Sequence, residues 1–240
     1  MGSPPDAWDS LAVGTWKRSP EQRWFHDYLL YPAICERLAP GSHILDYGCG
    51  SGEFLALARY RGCDVVGLDP SAEMARRAAA QNPGVRIVTH SGLLDSDSFN
   101  AVVMNLVLSC VDDPVAVASA AAAHAPRLIV TVPHPCFSLF DDLHYTTRRR
   151  WTSTRNTSDV RELYFQQPTQ AVVWNEAGAT TTLYHRSLTD WFCAFQECQL
   201  RVVDLAEPVP IAAGICIPKL YERFTLIPAF ILFDLHEEGT

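Results

Sequence analysis

The chain has 240 residues, 48% of them apolar and 19% charged, with a formal net charge of -8. A chain of this size supports one domain, with or without an insertion, and buries enough surface on folding to need no disulfide staple. The acidic balance argues against nucleic acid as a partner, because gripping a polyanion takes concentrated positive charge. The one basic run, Arg148, Arg149 and Arg150 with Arg155 nearby, is short and reads as a solvated loop.

The cysteines stand at positions 35, 49, 63, 110, 136, 193, 198 and 216, with no C-x-x-C pair among them. Several fall within apolar runs and read as buried thiols in a reducing, cytoplasmic setting. Residues 1–9 are polar and lack the apolar region of a signal peptide. No apolar stretch reaches the ~20 residues of a membrane span. The sequence therefore reads as cytoplasmic, with no membrane partner, and leaves the oligomeric state open.

In chain order, residues 20–38 carry apolar side chains at helical spacing: Trp24, Phe25, Tyr28, Leu29, Ile34 and Leu38. Pro32 marks a break or a second start, and Pro40-Gly41 closes the segment. An alternation follows. The pattern predicts a strand over 43–47, a helix over 52–61, a strand over 64–69 and a helix over 71–81. That last helix has Ser71 as its cap and Met74, Ala75 and Ala78 on its inner face. Strands over 85–89, 101–106 and 127–132 come next, with an alanine-rich helix over 115–125. Such alternation specifies right-handed βαβ units and a parallel sheet.

From 136 to 184 the alternation stops, and aromatics gather: Phe137, Phe140, Tyr145, Trp151, Tyr164, Phe165 and Trp174. This stretch reads as an insertion after strand five, either a lid or a segment with small elements of its own. A helix over 187–198, a strand over 200–206, an irregular stretch over 207–218 and a last strand over 225–233 complete the chain. Pro228 suggests an edge or a bulge.

The informative block is Asp46-Tyr47-Gly48-Cys49-Gly50-Ser51-Gly52, directly after a strand and opening a helix. Glycine lets the backbone turn tightly and approach a ligand closely. Glycine-rich loops alone are a weak signal. Two features sharpen it. The spacing is G-x-G-x-G, not the G-x-G-x-x-G of dinucleotide enzymes, and Asp46 precedes the first glycine by two positions. Asp69 then ends the second strand, where an acid accepts two ribose hydroxyls. A phosphate-binding loop has little use for Asp46; a cofactor bearing an ammonium and a sulfonium does.

Residues 44–52 followed by Gly67-Leu68-Asp69-Pro70-Ser71 resemble motif I and the acidic loop of class I S-adenosylmethionine-dependent methyltransferases of the small-molecule type. Residues 103–108, 130–137, 184–188 and 205–208 resemble later parts of the same family. The resemblance implies an α/β fold: a doubly wound, mostly parallel seven-stranded sheet with a C-terminal antiparallel strand, an N-terminal helical lid and the insertion. It covers one domain, divided as lid (1–42), cofactor-binding core (43–136), cap insertion (137–184) and the C-terminal part of the sheet (185–240).

It further implies S-adenosyl-L-methionine as cofactor, with Gly48, Gly50 and Gly52 along its methionine and ribose portion. Asp46 would face its amino group and Asp69 its ribose hydroxyls. Pro70 and Met74 would pack on the adenine, Ser91, Gly92 and Leu93 would close the far edge, and Asn105 and Leu106 would form the floor near the methionine end. The loop after strand three departs from the family, offering Thr89-His90-Ser91 where an aspartate is common. Tyr28 and Tyr31, with His26, lie in the segment resembling the lid.

The reaction implied is methyl transfer to an oxygen or nitrogen of a small-molecule acceptor, of the kind found in secondary metabolism. A general base is optional, since a carboxylate acceptor needs none. In open α/β sheets ligands lie beyond the carboxyl ends of the strands. That places His134, after strand five, as the candidate base, with His185 as a second candidate; each equally suits a structural loop imidazole. A metal at His134, Cys136 and His144 has no recognised spacing, and no metal is expected. Non-methylating chemistry on the same fold, a non-catalytic cofactor-binding partner protein and a dinucleotide oxidoreductase are the alternatives, the last disfavoured by the glycine spacing.

Overall fold

In the computed structural model, which describes Asp9 and residues 18–94, 97–136, 164–165, 169–173 and 180–239, the alternating pattern folds into a seven-stranded sheet of order β3-β2-β1-β4-β5-β9-β8. The strands are β1 (His43–Tyr47), β2 (Asp64–Leu68), β3 (Arg86–Val88), β4 (Ala101–Asn105), β5 (Arg127–Pro133), β8 (Leu200–Ala206) and β9 (Phe230–Glu237). β1 to β5 run parallel, and β9 lies antiparallel between β5 and β8. Strands buried on both faces read as continuous apolar runs, which is why β1, β2, β4 and β5 were visible in the sequence.

The order reverses between β1 and β4, so the crevice outside their carboxyl ends is where a ligand belongs. One layer of core, with Leu45, Met104, Val130, Trp191 and Phe233, fills one face of the sheet. Another, with Ile44, Leu55, Val103, Ile129 and Leu232, fills the other.

The N-terminal segment is α1 (Pro20–Phe25), a π-helical turn (His26–Leu30) and α2 (Tyr31–Cys35). Ser19 and Gln22 form a capping box that starts α1, and Pro32 sits in the first turn of α2, where it costs no hydrogen bond. The break thus precedes Pro32. Helices α3 (Glu53–Tyr60), α4 (Ala72–Gln81) and α5 (Pro114–Ala122) follow their strands.

The insertion contributes a separate two-stranded antiparallel sheet, β6 (Thr169–Val173) with β7 (Thr180–Tyr184). The aromatics Phe137, Phe140, Tyr145, Trp151 and Trp174, the run Arg148–Arg150 with Arg155, and His144 lie outside the described residues. Helix α6 (Leu188–Glu197) leads into β8.

The C-terminal reading needs correction. The stretch read as a strand over 225–233 begins as the end of a helix, α7 (Pro218–Leu226), and Phe230 starts the strand. β9 is an interior strand, and Pro228 lies just before it, where no ladder hydrogen bond is lost. Leu220, Tyr221 and Phe224 give α7 a helical face, which packs on Trp24, Phe25, Leu29 and Leu30.

Candidate active site

Three glycines shape the turn after β1, with φ of 80° at Gly48, 55° at Gly50 and 87° at Gly52, a region L side chains rarely adopt. The turn is tied to β2, since the N–H groups of Gly48 and Cys49 both donate to the Leu68 carbonyl, at 2.7 and 2.9 Å. A Cβ on Gly52 would meet Asn82 Nδ2 at 2.5 Å, so that glycine allows α3 and α4 to pack. A Cβ on Gly50 would meet nothing within 4 Å, so that glycine opens onto space.

Asp69 closes this space from β2. Its Oδ2 accepts from Gly50 N–H at 2.8 Å and its Oδ1 from Ser71 N–H at 2.9 Å. Two backbone donors fix the carboxylate and leave lone pairs on both oxygens. Burial nevertheless pushes its pKa up, against these two hydrogen bonds.

Asp46 is 2% exposed, and its Oδ2 has no hydrogen-bond partner. Burial, with the negative charges of Asp69 and Glu53 nearby, pushes its pKa up to about 8, against the pull of Arg18. A buried carboxyl oxygen without a donor is costly unless a cationic group completes it. The ammonium of a methionine-derived cofactor fits Asp46, and a ribose diol fits Asp69.

Adjacent to the two acids, Met74 is buried on α4, Pro70 is exposed at the rim, and Ser91–Leu94 forms a short 3-10 turn with Gly92 and Leu93 exposed. Asp9 reaches the same corner, where its Oδ1 accepts from Ser71 Oγ and from Glu73 N–H, the latter at 3.1 Å. At the end of β4, Leu106 has a φ of 61°, and its N–H is shared between the carbonyl and Oγ1 of Thr131, each at 3.1 Å. A non-glycine residue held there stores strain of about 1–3 kcal/mol, a feature that gathers at functional sites.

Comparison with known proteins gives the family. The methyltransferase domain family matches residues 19–184. The chain belongs to the S-adenosylmethionine-dependent methyltransferase family. A ubiquinone biosynthesis O-methyltransferase of Alkalilimnicola ehrlichii is 34% identical over 143 residues, which is 54% of this chain and 56% of the relative. The chain thus aligns with little more than half of that relative's length.

An S-adenosylmethionine-dependent methyltransferase of Mesorhizobium loti shares the fold with a TM-score of 0.64 at 24% identity, over 86% of this chain and 96% of that one. Magnesium protoporphyrin IX methyltransferase of Synechocystis PCC 6803, solved with SAH bound, shares it with a TM-score of 0.55 at 15% identity, over 97% and 93%.

The two histidines read as candidate bases are both engaged by neighbours. His134 follows β5 as read, but it is 3% exposed and both ring nitrogens are engaged. Its Nδ1 accepts from Cys136 N–H at 3.1 Å, and its Nε2 donates to Glu207 Oε1 at 2.7 Å. Burial lowers its pKa, partly offset by Glu207. A general base needs a free basic nitrogen, and this ring does not present one. His185 donates from Nε2 to the Tyr164 carbonyl at 3.1 Å and anchors the inserted segment. Both rings are held as structural loop imidazoles are held, by a carboxylate and a backbone N–H at His134 and by a backbone carbonyl at His185.

Tyr31 is buried and packs on Phe54, whereas Tyr28 is half-buried and hydrogen-bonds to Cys216, which raises its pKa. Among the described residues no group of His, Cys, Asp and Glu is arranged to hold a metal. No helix among them is long and apolar enough to cross a membrane.

Two side chains were missed as site-builders. His26, read only as part of the lid, sits in the π turn with its Nδ1 3.3 Å from Asn105 Nδ2. Arg186 is 8% exposed and donates to the carbonyls of Leu108 (3.1 Å), Val111 (2.7 Å) and Asp112 (2.7 Å), with Tyr184 and Trp191 against its guanidinium. It fastens the loop after β4 to the end of the insertion. A π turn has no simple sequence signature, and an arginine whose hydrogen bonds go to backbone carbonyls cannot be matched to a partner from residue types.

Proposed function

We propose that this methyltransferase moves the methyl group of S-adenosylmethionine to an oxygen of a small-molecule acceptor, with nitrogen as the second choice. The observation that carries the reading is the unpartnered, buried Oδ2 of Asp46, at the switch between β1 and β4, with a backbone-fixed Asp69 at the end of the neighbouring β2. The 34% identical relative, an O-methyltransferase, supports oxygen over nitrogen.

The bound sulfonium would supply a methyl group activated for displacement. The chain's own part is alignment, which contributes up to ~7–11 kcal/mol in favourable systems. Asp46 would hold the amino group and Asp69 the ribose diol. Gly48, Gly50 and Gly52 would follow the chain between them, with Pro70, Met74, Ser91, Gly92 and Leu93 around the adenine. Asn105 and Leu106 would floor the methionine end. The π turn, pinned to the C-terminal segment by the Ile211 N–H donating to the Tyr28 carbonyl at 3.0 Å, would roof the acceptor side.

The test has two readouts. The demethylated cofactor at 100 times its dissociation constant should stabilise the protein by ~2.7 kcal/mol in a melt, whereas NAD should do nothing. A labelled cofactor methyl group, offered with a cell extract, should appear in the low-mass fraction. Label found only in RNA or protein would overturn the small-molecule acceptor.

A further inference from the structure

His26 stands at the end of a directional chain of hydrogen bonds. The Leu106 N–H donates to Thr131 Oγ1, which therefore acts as an acceptor on that side. Thr131 Oγ1 lies 2.7 Å from Asn105 Oδ1, a length typical of O–H···O and short for an amide N–H, so the hydroxyl proton points to Asn105. That fixes the Asn105 amide with its Nδ2 toward His26, at 3.3 Å from Nδ1. Nδ1 is consequently the acceptor, and the ring carries its proton on Nε2.

His26 Nε2 has no hydrogen-bond partner among the described residues, and it is not a sealed atom, although the residue is only 7% exposed. The groups around it hold the ring neutral. Arg18, ahead of α1, adds positive charge, Tyr31 from α2 lies tilted against the ring with centroids 5.2 Å apart, and Asn105 from β4 donates. Asp27 in the same turn, with Asp46 and Glu53 beyond, pushes the Tyr31 pKa up. Burial first, then Arg18, holds its pKa well below the ordinary histidine value.

The neighbouring histidines offer no substitute. His134 has both nitrogens engaged, and His185 has its Nε2 on a backbone carbonyl. Thus the carboxyl ends of β4 and β5 present a fixed N–H donor where a hydroxyl acceptor would require a base.

We infer that His26 is a catalytic residue that donates a hydrogen bond from Nε2 to the acceptor oxygen, and that this oxygen arrives already anionic, as a carboxylate or an acidic phenol. The inference rests on the methyl-transfer reading above. With such an acceptor the step balances without a base. The oxygen's lone pair forms the new C–O bond, the C–S bond breaks with its pair left on sulfur, the two opposite charges cancel and no proton is released. Asn105 and Thr131 are positioning residues that set the tautomer.

The test is long-range proton–nitrogen NMR of the histidine-labelled full chain, with the His26 signals assigned by their loss in His26→Gln. We expect the neutral Nε2–H pattern across about pH 5 to 8, where an ordinary histidine titrates near ~6.5. Thr131→Val should mix the two tautomers. Benzoate, added to protein saturated with the demethylated cofactor, should move the His26 Nε2 signal at concentrations at least tenfold below those needed with benzamide.

An Nδ1–H pattern, titration near neutrality, or an equal or absent response to the two probes overturns the inference. Failure to bind the demethylated cofactor would instead sink the methyl-transfer reading, whatever the tautomer. His26 titrating in a protein that binds it would sink only this proposal.

Discussion

The cofactor end of the site and its acceptor rim are assembled over different lengths of chain. At the cofactor end, Asp69 is held by amides 2 and 19 residues away, the farther of them in the glycine-rich turn after β1. At the rim, Asn105 meets His26 across 79 residues and His134 meets Glu207 across 73. Local geometry is written in residue types at fixed spacing; a contact over seventy residues depends on which loops happen to meet. Geometry inferred from motif thus holds at the first end, and at the second it depends on partners that only the fold supplies.

The largest expected effect lies at the cofactor end. Asp69→Asn keeps the size of the side chain and removes the charge that would accept the ribose hydroxyls. Hydrogen bonds to a charged group contribute ~1.5–3 kcal/mol, so calorimetry with the demethylated cofactor should show a loss of about 10- to 100-fold. Asp69→Ala should lose at least as much, and also leaves the Gly50 and Ser71 amides unpaired. Unchanged affinity in Asp69→Asn would make Asp69 a turn residue, and the contrast between the two ends would collapse.

Asp46 gives a smaller effect with opposite signs in two assays. Its pKa is raised from 3.8 to about 8, so the folded protein holds this proton more tightly than the unfolded chain. The associated stability is complete below the unfolded value and is lost as pH rises through the folded one. Free protein should therefore lose stability between about pH 4 and 8. Asp46→Asn, which cannot ionise, should flatten that slope and melt higher near pH 8, by about 1–3 kcal/mol. The same change should weaken cofactor binding about tenfold, since the ammonium loses its counter-charge. A parallel loss in both assays would show that Asp46 serves the fold and not the ligand.

The parallel strands, the glycine turn and the two acids beside it were legible because apolar runs and glycine spacing reflect local rules. The errors sit where tertiary contacts override them. Residues 225–233 look like a strand because Thr225, Ile227, Ala229, Ile231 and Phe233 fall two apart, yet Pro218–Leu226 gains more by turning Phe224 onto Trp24 and Phe25. His134 was placed correctly on the rim, but its occupation by Cys136 and Glu207 depends on where the chain after β8 returns. His26 was hidden because the π turn that presents it arises inside an ordinary helical pattern.

The smallest expected effect tests that last region. If His134 is a structural ring, Glu207→Gln removes a charge while leaving an acceptor for Nε2–H. Glu207 is half exposed, so solvent screens the pair, and the change should shift neutral-pH stability by no more than ~0.5 kcal/mol. Turnover should stay within about twofold, because no proton passes through the pair; loss of a general base would cost ~10²–10⁴-fold. The pH dependence carries a sign as well. His134 has its folded pKa below the unfolded value, so its stability contribution is present above the unfolded pKa and is lost as pH falls through the folded one. Glu207 opposes that lowering, so Glu207→Gln should make the melt more sensitive to acid, with little change near pH 8. A hundredfold fall in turnover with normal cofactor affinity would mean that the ring exchanges protons in the working enzyme. The rim would then have been read correctly from its place after β5 alone, and the difference between the two ends of the site would be one of packing rather than of chemistry.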